Sequence, residues 1–254
     1  MARTAEYLVV DIETIPDTER WQRPADAPQQ QTAFPPLWAH RVLTIGYLRL
    51  DAAYRPLAAG IVAAGPGAGS ADAREAQLLA ALGRAVGKAT LVTYNGRSFD
   101  LPVIALRSLA HAVPMPWYYR ETTTRYRYSE HGHLDLCDWL ADHGAVRAGS
   151  LDALARLVGL PGKVGVDGSQ VEGLHAAGRI DEIERYCLAD VAQTALLFLR
   201  FRLLQGVLRP ELYQEVTGAL LDALAADGRV GTVLEGTDRA HLIGPPPAPP
   251  TPAA

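Results

Sequence analysis

The chain has 254 residues, of which 48% are hydrophobic, and it carries a formal net charge of −4. That length can bury one substantial core, so we expect one α/β domain with additions, and the composition excludes a largely disordered chain. The charge shows no global excess of basic residues, although a local basic strip can accompany an acidic metal site. Two cysteines and the lack of an apolar run long enough to cross a bilayer predict a soluble cytoplasmic protein with reduced thiols and no membrane partner.

Two carboxylates follow the first predicted strand. Residues 7–10 (YLVV) are apolar and β-favouring, and they lead directly into Asp11 and Glu13. Side chains alternate along a strand, so both acids project to the same face. Two like charges at the end of a buried strand are costly unless a cation compensates them, and Mg²⁺ or Mn²⁺ prefers carboxylate oxygens. The pair therefore indicates a metal site, with solvated surface acids as the alternative for such a pair taken alone.

A long connection separates this strand from the next elements. Residues 15–40 are rich in Pro and Gln, which predicts a functional flap or a poorly ordered excursion. Within it, Trp21, Phe34 and Trp38 either pack on the surface or stack on a ligand. The pattern that follows predicts strands over 41–50 and 57–63 and a helix over 71–86 with Ser70 as its cap.

A third acid lies where another buried strand, residues 90–94, gives way to a helix. The Asn95-Gly turn ends the strand, and Ser98 or Phe99 begins a helix that extends to about residue 111. Asp100 therefore lies in the first turn of that helix, at the mouth of the strand. The alternative explanation is that an acid simply interacts well with the helix dipole there.

Residues 114–128 interleave four tyrosines with Arg120, Arg125 and Arg127. This pattern suits single-stranded nucleic acid, because bases stack on aromatic rings and phosphates pair with guanidinium groups. It is equally typical of an exposed hairpin with aromatic pairs across its strands. The sequence leaves both interpretations open.

The next stretch favours a short strand over 133–136 that leads into a helix, for which Asp138 is the predicted cap. Asp135 is a further acid on this strand and a weaker candidate for a metal ligand. After a predicted helix over 150–159, the Pro-Gly turn that precedes Lys163 can present this lysine to a phosphate. A solvated lysine is the alternative.

A late helix is predicted over 179–203, where Tyr186 and Asp190 are four residues apart and share a face. An acid among apolar residues is a candidate for a partly buried carboxylate with a function, whereas a tyrosine at this spacing is commonly part of a core. A last helix is predicted over 211–226. The Pro/Ala-rich end of the chain predicts a disordered tail, and we expect one domain over 1–240 with the tail over 241–254.

The three acidic motifs in this order resemble the exonuclease motifs of the DEDD superfamily in its tyrosine-bearing (DEDDy) branch. The chain is most similar to the predicted 3′–5′ exonucleases related to the proofreading domain of family-B DNA polymerases. YNGRSFDLPVI at 94–104 resembles the second motif of that family, and LDALARLVGLPGK at 151–163 followed by GVDGSQV resembles its later portion. The resemblance covers roughly residues 5–205.

The resemblance implies a ribonuclease-H-like α/β fold, a central mixed sheet with the first strand in the middle and helices packed on it. It implies that two divalent cations, Mg²⁺ or Mn²⁺, bind four acids: Asp11 between both ions, Glu13 and Asp190 on the ion that activates water, and Asp100 on the other. Tyr186 is expected to orient the attacking water.

The implied activity is that of a metal-dependent 3′–5′ exonuclease that releases nucleoside 5′-monophosphates from single-stranded DNA. DNA repair, degradation and RNA trimming all remain open as its role. Asn95 and Phe99 are expected to contact the terminal nucleotide, and the three arginines and Lys163 to contact the strand. A polymerase or repair protein is the expected partner in trans. Two alternatives remain open: an RNA exonuclease of the same fold, and a nucleic-acid-binding or scaffold module without turnover.

Overall fold

The computed structural model describes residues 6–24, 34–67, 69–163 and 168–244, and these ranges contain one mixed sheet of five strands. The strands are β1 Tyr7–Pro16, β2 His40–Leu50, β3 Pro56–Ile61, β4 Thr90–Thr93 and β5 His133–Asp135. Their order across the sheet is β3-β2-β1-β4-β5, which places the first strand in the middle. Strand β2 is antiparallel to β1 and β3, whereas β4 is parallel to β1 and β5.

Ten α-helices lie within the described ranges. They are α1 Ala71–Val86, α2 Asp100–Ala110, α3 Pro116–Tyr119, α4 Thr122–Arg125, α5 Leu136–Leu140, α6 Leu151–Leu157, α7 Val171–Ala176, α8 Ile180–Leu204, α9 Pro210–Ala226 and α10 Arg239–Ile243. Short 3₁₀ turns cover Leu37–Ala39, Asp142–Gly144, Gly168–Gln170 and Gly231–Leu234. The long predicted helices are therefore present, and their ends differ from those expected by at most two residues.

The central strand divides the core into two layers. Val9 packs with residues of α8 and α9 on one face of the sheet, and Leu8 and Val10 pack with residues of α1 and α2 on the other. Because both faces are covered by helices, the strand reads as a continuous apolar run rather than an alternating one. A central mixed sheet with helices on both faces and β1 in the middle is the ribonuclease-H-like arrangement, so the expected fold is confirmed.

Helix α8 carries the late motif to the centre of the molecule. It has 25 residues and packs against both β1 and β2. Sixteen of its residues are buried, on most of its circumference, as expected of a helix without a wide polar face. Its residues therefore lie directly against the middle of β1.

The position of Asp11 and Glu13 differs from the prediction that they end the first strand. Strand β1 continues to Pro16, because its antiparallel pairing with β2 extends through a register shift after Glu13. The parallel pairing with β4 stops earlier, at Val9. The two acids therefore lie within β1 but just beyond the carboxyl end of its parallel partner, where a cleft can open.

Residues 114–128 do not form a hairpin, which was one of the two interpretations that the sequence left open. The short helices α3 and α4 occupy this stretch, since Pro116 lies at the first position of α3 and the chain turns again before Thr122. The hairpin interpretation is wrong.

The long connection between the first two strands is described only at its two ends, and the strands leave fewer residues to it than predicted. Residues 25–33, the core of the predicted flap, and residues 245–254, most of the predicted tail, lie outside the described ranges. Within the described parts of the chain, no helix has both the length and the apolar character needed to cross a bilayer.

Candidate active site

Acids from three distant parts of the sequence converge on one cavity of about 500 Å³. Strand β1 provides Asp11 and Glu13, the first turn of α2 provides Asp100, and α8 provides Asp190. The same cavity is lined by four other residues that the sequence singled out: Asn95, Phe99, Lys163 and Tyr186. The structure therefore brings the three predicted motifs together.

The acids of β1 face α8. Both lie on the face of the strand that also carries Val9, which packs against α8. Glu13 is 8% exposed, and Asp11 is partly buried. The Cys187 Sγ lies 3.5 Å from the Asp11 carbonyl oxygen and 3.6 Å from its Oδ2, so the thiol donates towards both. Carboxylate and thiol atoms of Asp11, Glu13 and Cys187 lie within 4.8 Å of one another.

A tight turn places Asp100 at the start of α2. Asn95 has a left-handed φ of 64°, and the Gly96 carbonyl accepts the Leu101 amide at 2.8 Å. A Cβ on Gly96 would lie 2.6 Å from the Thr93 side chain, so only glycine fits this turn. Asp100 is 5% exposed, and its carboxylate accepts the backbone N–H of Ile12, which joins the second motif to the first.

The two residues of the late motif touch each other and face the other acids. The Tyr186 hydroxyl donates a hydrogen bond to the Asp190 carboxylate. Lys163 approaches from the turn after α6, with its Nζ 5.9 Å from the centre of the Tyr186 ring. The lysine predicted to contact phosphate thus lies beside the acids rather than in solvent alone.

Burial raises the pKa of each of the four carboxyls, and the charges of neighbouring acids raise it further. The pKa of Asp11 lies well above its usual value because of burial first and then the charges of Asp100, Glu13 and Asp190. The pKa of Glu13 is raised by burial, Asp190 and Asp100, and is partly restored by Lys163. Burial also raises the pKa of Asp100 to about 7 and that of Asp190 to about 6, the latter against the opposing effect of Lys163 and the Tyr186 hydrogen bond.

This charge distribution fits divalent cations. Four converging carboxylates present oxygen ligands, and one nearby lysine does not balance their charge when all are ionised. A hard cation would remove the repulsion that raises these pKa values. The donor set therefore fits hard divalent cations, the class of ion expected from the sequence.

Asp135 and Asp138 have other roles than those that the sequence suggested. Asp135 caps α5, and its carboxylate accepts the backbone N–H groups of Asn95, Arg97 and Cys137 at 2.8–3.0 Å. Asp138, the predicted cap, instead pairs with Arg97 at 3.1 Å and with Arg127. The capping prediction is wrong by one turn, and Asp135 holds the Asn95 turn in place.

The three arginines predicted to bind substrate do not line the carboxylate cavity in the described structure. The guanidinium of Arg125 lies 5.7 Å and 5.2 Å from the ring centres of Tyr118 and Tyr119. Arg127 is held by Asp138, and Arg120 is exposed to solvent. Contact of these arginines with a nucleic-acid strand stays a prediction, and it would involve nucleotides that lie beyond the cavity.

A second cavity of about 660 Å³ adjoins the first, and sequence reasoning did not find it. It shares Ile12, Glu13, Phe99 and Lys163 with the carboxylate cavity. Phe34 lines this cavity together with His40. From the sequence, Phe34 could either pack on the surface or stack on a ligand. A single histidine before a strand gives no sequence signal, and neither does the buried Cys187 beside Asp11.

Solved structures that are similar to this chain include one of a DNA polymerase and two of exonuclease I. The family B DNA polymerase from Pyrobaculum calidifontis matches 95% of this chain and 27% of its own, with 18% identity and a TM-score of 0.49. E. coli exonuclease I with a dA16 oligonucleotide matches 87% of this chain and 43% of its own, with 14% identity and a TM-score of 0.40. The ExoI/SSB-Ct complex matches 87% of this chain and 44% of its own, with 12% identity and a TM-score of 0.39. This chain thus spans less than half the length of each of them.

No curated protein sequence matches this chain. A family model does match it, over residues 32–235, which is most of its length. The description of that family is a predicted 3′–5′ exonuclease related to the exonuclease domain of PolB, as the motifs of the sequence indicated. The chain belongs to this family of predicted 3′–5′ exonucleases.

Proposed function

We propose that this protein is a metal-dependent 3′–5′ exonuclease that hydrolyses phosphodiester bonds at the 3′ end of single-stranded DNA and releases nucleoside 5′-monophosphates. The observation that carries the proposal is the convergence of Asp11, Glu13, Asp100 and Asp190 on one cavity, with the pKa of each raised by burial and by neighbouring acids. Such a cluster is stable in its ionised form only when cations bind to it. A phosphodiester brings further negative charge to the same place.

Asp11, Glu13, Asp100 and Asp190 would hold two divalent cations, Mg²⁺ or Mn²⁺. Bound ions of this kind lower the pKa of water and stabilise the leaving oxygen of a phosphodiester. The chain itself fixes the ligands. Asp11 is steadied by the Cys187 thiol, Asp100 by the Ile12 amide and Asp190 by the Tyr186 hydroxyl.

Tyr186 positions groups and does not serve as a base. Burial and the charges of Asp190, Glu13 and Asp11 raise its pKa above the usual value of tyrosine, so its hydroxyl stays protonated at neutral pH. A protonated hydroxyl both donates to Asp190 and accepts from a water molecule. We assign to it the orientation of the attacking water.

Contacts to the substrate come from the rim of the cavity. Lys163 lies where its charge can pair with a phosphate oxygen, and Asn95 and the ring of Phe99 lie where the sugar and base of a terminal nucleotide can reach them. Arg120, Arg125 and Arg127 would act further along the strand. Since the family is related to the exonuclease domain of a polymerase, we propose a polymerase or repair protein as the partner in trans.

The test uses single-stranded DNA labelled at its 5′ end, incubated with wild type, Asp11→Ala and Asp222→Ala in Mg²⁺, Mn²⁺ or EDTA. Asp222 is the matched control, because its side chain is 72% exposed on α9 and pairs only with Arg239 among the described residues. We expect a ladder that shortens from the 3′ end with wild type and Asp222→Ala. EDTA and Asp11→Ala should abolish it.

Two outcomes would contradict the proposal. Full activity of Asp11→Ala would show that the metal ligands are elsewhere. No shortening of DNA by folded wild type with either ion would exclude the DNA substrate, and the same ladder on a matched RNA would then identify an RNA exonuclease. Binding without shortening of either strand would indicate a module without turnover.

A further inference from the structure

One wall of the second cavity is formed by aromatic rings, which have no role in the metal site proposed for the four acids. The rings of Phe34 and Phe99 lie 5.9 Å apart, and His40 lies 4.8 Å from Phe34 and 5.0 Å from Phe99, edge-on to the latter. Phe34 is 72% exposed, although most large apolar side chains of the chain are buried. One face of an aromatic ring is thus presented to an open cleft.

The ring of His40 is held by hydrogen bonds at both nitrogens. Its Nε2 lies 3.0 Å from the Pro35 carbonyl oxygen, which can only accept, so Nε2 carries a proton and donates it. Its Nδ1 lies 2.9 Å from the Thr14 hydroxyl oxygen. His40 therefore supports the aromatic wall as a fixed ring and holds the Phe34 segment against β1.

Charged side chains of both signs line the cleft beside this wall. Lys163 and Glu13 belong to both cavities, so the wall begins where the carboxylate cavity ends. Arg23 and Glu172 also line the cleft and pair with each other at 3.2 Å, with both side chains substantially exposed. A nucleotide fits this arrangement, because its flat base can stack on the rings while its phosphate lies towards Lys163 and the carboxylate cavity.

We infer that this cleft binds an unpaired nucleobase of the substrate strand, stacked on Phe34, while the adjoining phosphate lies at the four acids. The inference rests on the proposed nuclease function and adds a basis for strand selection to it. A base inside a duplex has both faces covered by its neighbours. The terminal base of a blunt end is still held by its partner and by the base pair beneath it, so an unpaired end supplies a base to this ring more readily. Phe34 is thus a specificity-determining residue that favours single-stranded ends.

The experiment compares Phe34→Ala and Phe34→Tyr with the control Trp38→Ala. Trp38 is an aromatic residue on the same short segment, 47% exposed, and it does not line this cleft in the described structure. Binding of a 5′-fluorescein single strand and of a blunt duplex is measured by anisotropy, with Ca²⁺ in place of Mg²⁺. Cleavage of the same two substrates is measured in Mg²⁺.

We expect Phe34→Ala to weaken binding of the single strand by about 5- to 100-fold, the range of one base stacked on an aromatic ring, and to change duplex binding by less than about twofold. The same loss should appear in KM, with kcat largely kept. Phe34→Tyr keeps a flat ring and should bind like wild type, as should Trp38→Ala. Because Phe34 is so exposed, the alanine variant should unfold at the same urea concentration as wild type.

Wild-type affinity of Phe34→Ala for the single strand, in a protein that cleaves it, would overturn the inference and leave the proposed function standing. An equal loss with Trp38→Ala would overturn it as well, because the effect would then belong to the segment and not to the stacked ring. Failure of wild type to bind or cleave any strand would overturn both.

Discussion

The thiol of Cys187 lies directly over Gly46, where a Cβ would meet Sγ at 2.9 Å. Gly46 is the residue of β2 that pairs with Asp11 of β1. The same Cβ would also lie 2.9 Å from the Val191 Cγ2 on the next turn of α8. Because Gly46 has no side chain, α8 can approach the sheet at the level of Asp11. This close approach sets the distance between the acids of β1 and Asp190 of α8.

Gly46→Ala should push α8 away from the sheet and lower both stability and activity. Overpacking of a tight contact typically costs about 1–3 kcal/mol, so the midpoint of urea unfolding should fall. Because Asp190 lies on the displaced helix, the affinity for Mg²⁺ should fall as well. The measurements are urea unfolding and a Mg²⁺ titration of cleavage.

The matched test of this contact is the double variant Gly46→Ala with Cys187→Ala. Removing the sulfur relieves one of the two close contacts, so the double variant should be more stable than the sum of the single changes predicts. If the losses of stability in the two single variants simply added up in the double variant, contact between the new Cβ and the Cys187 thiol would not be what displaces α8.

Alternation along β1 and helical spacing on α8 predict which side chains share a face of one element, whereas the meeting of the four acids was expected only from the resemblance to the exonuclease family. The sequence also placed Asp100 correctly in the first turn of α2. It could not show how far β1 continues, because that depends on β2, nor that Asp135 rather than Asp138 caps α5, because both are acids near one helix start. Such choices depend on partners that are distant in the chain.

The contacts of Phe34 with His40 and Phe99 could not be predicted from the sequence either. Phe34 stands in a Pro-rich connection without periodicity, and the ring of Phe99 is 65 residues away along the chain. Contacts of that kind follow only from the assembled sheet, which brings the start of β2 next to the start of α2.

Asp100→Asn should stabilise the metal-free protein at alkaline pH. The pKa of Asp100 is about 7 in the folded chain and about 3.9 when unfolded, so the folded state binds the extra proton between pH 4 and 7. The contribution of this group to stability therefore falls as the pH rises through that window and stays lost above it. Asparagine does not titrate and can still accept the Ile12 amide.

The difference in unfolding free energy between Asp100→Asn and wild type should thus grow from near zero at pH 4 to about 2–4 kcal/mol at pH 8. Comparing the two proteins cancels the effect of His133, whose pKa burial lowers to about 3 and which destabilises both in acid. Mg²⁺ should raise the melting temperature of wild type more than that of the variant. A difference independent of pH would show that Asp100 is ionised throughout.

Arg107→Met should destabilise the protein strongly without touching the cavity. Arg107 is 1% exposed and pairs with two buried acids, Asp17 at 2.7 Å and Glu75 at 2.6 Å. Despite burial, hydrogen bonds from Arg107 and Arg20 hold the pKa of Asp17 at about 2. Removing one member of a buried ion pair leaves a buried charge uncompensated and costs about 3–5 kcal/mol.

The control for Arg107→Met is Arg239→Met. Arg239 also pairs with an acid, Asp222, but the side chains are 49% and 72% exposed. A surface pair contributes about 0–1 kcal/mol, so urea unfolding of this variant should match wild type closely. Equal effects of the two substitutions would contradict the importance of the buried network.

Tyr186→Phe should lower the rate of cleavage without unfolding the protein. The variant keeps the ring, which packs with Leu43, Val171, Leu174 and Ile183, and removes only the hydroxyl that donates to Asp190. Loss of a positioned water typically costs about 10²-fold in rate, whereas loss of one hydrogen bond costs about 1 kcal/mol of stability. The measurements are kcat on single-stranded DNA and urea unfolding.

Tyr213→Phe is the matched control, because Tyr213 is also buried, and its hydroxyl donates to the Leu242 carbonyl oxygen far along the chain from the acids. It should lose a similar amount of stability and keep the wild-type rate. Because the Tyr186 hydroxyl stays protonated, the wild-type rate should show no tyrosine ionisation below about pH 10. If kcat of Tyr186→Phe matched that of wild type, Tyr186 would not orient the water. If the Mg²⁺ requirement rose in parallel with the loss of rate, its hydroxyl would act by holding Asp190 in place as a ligand.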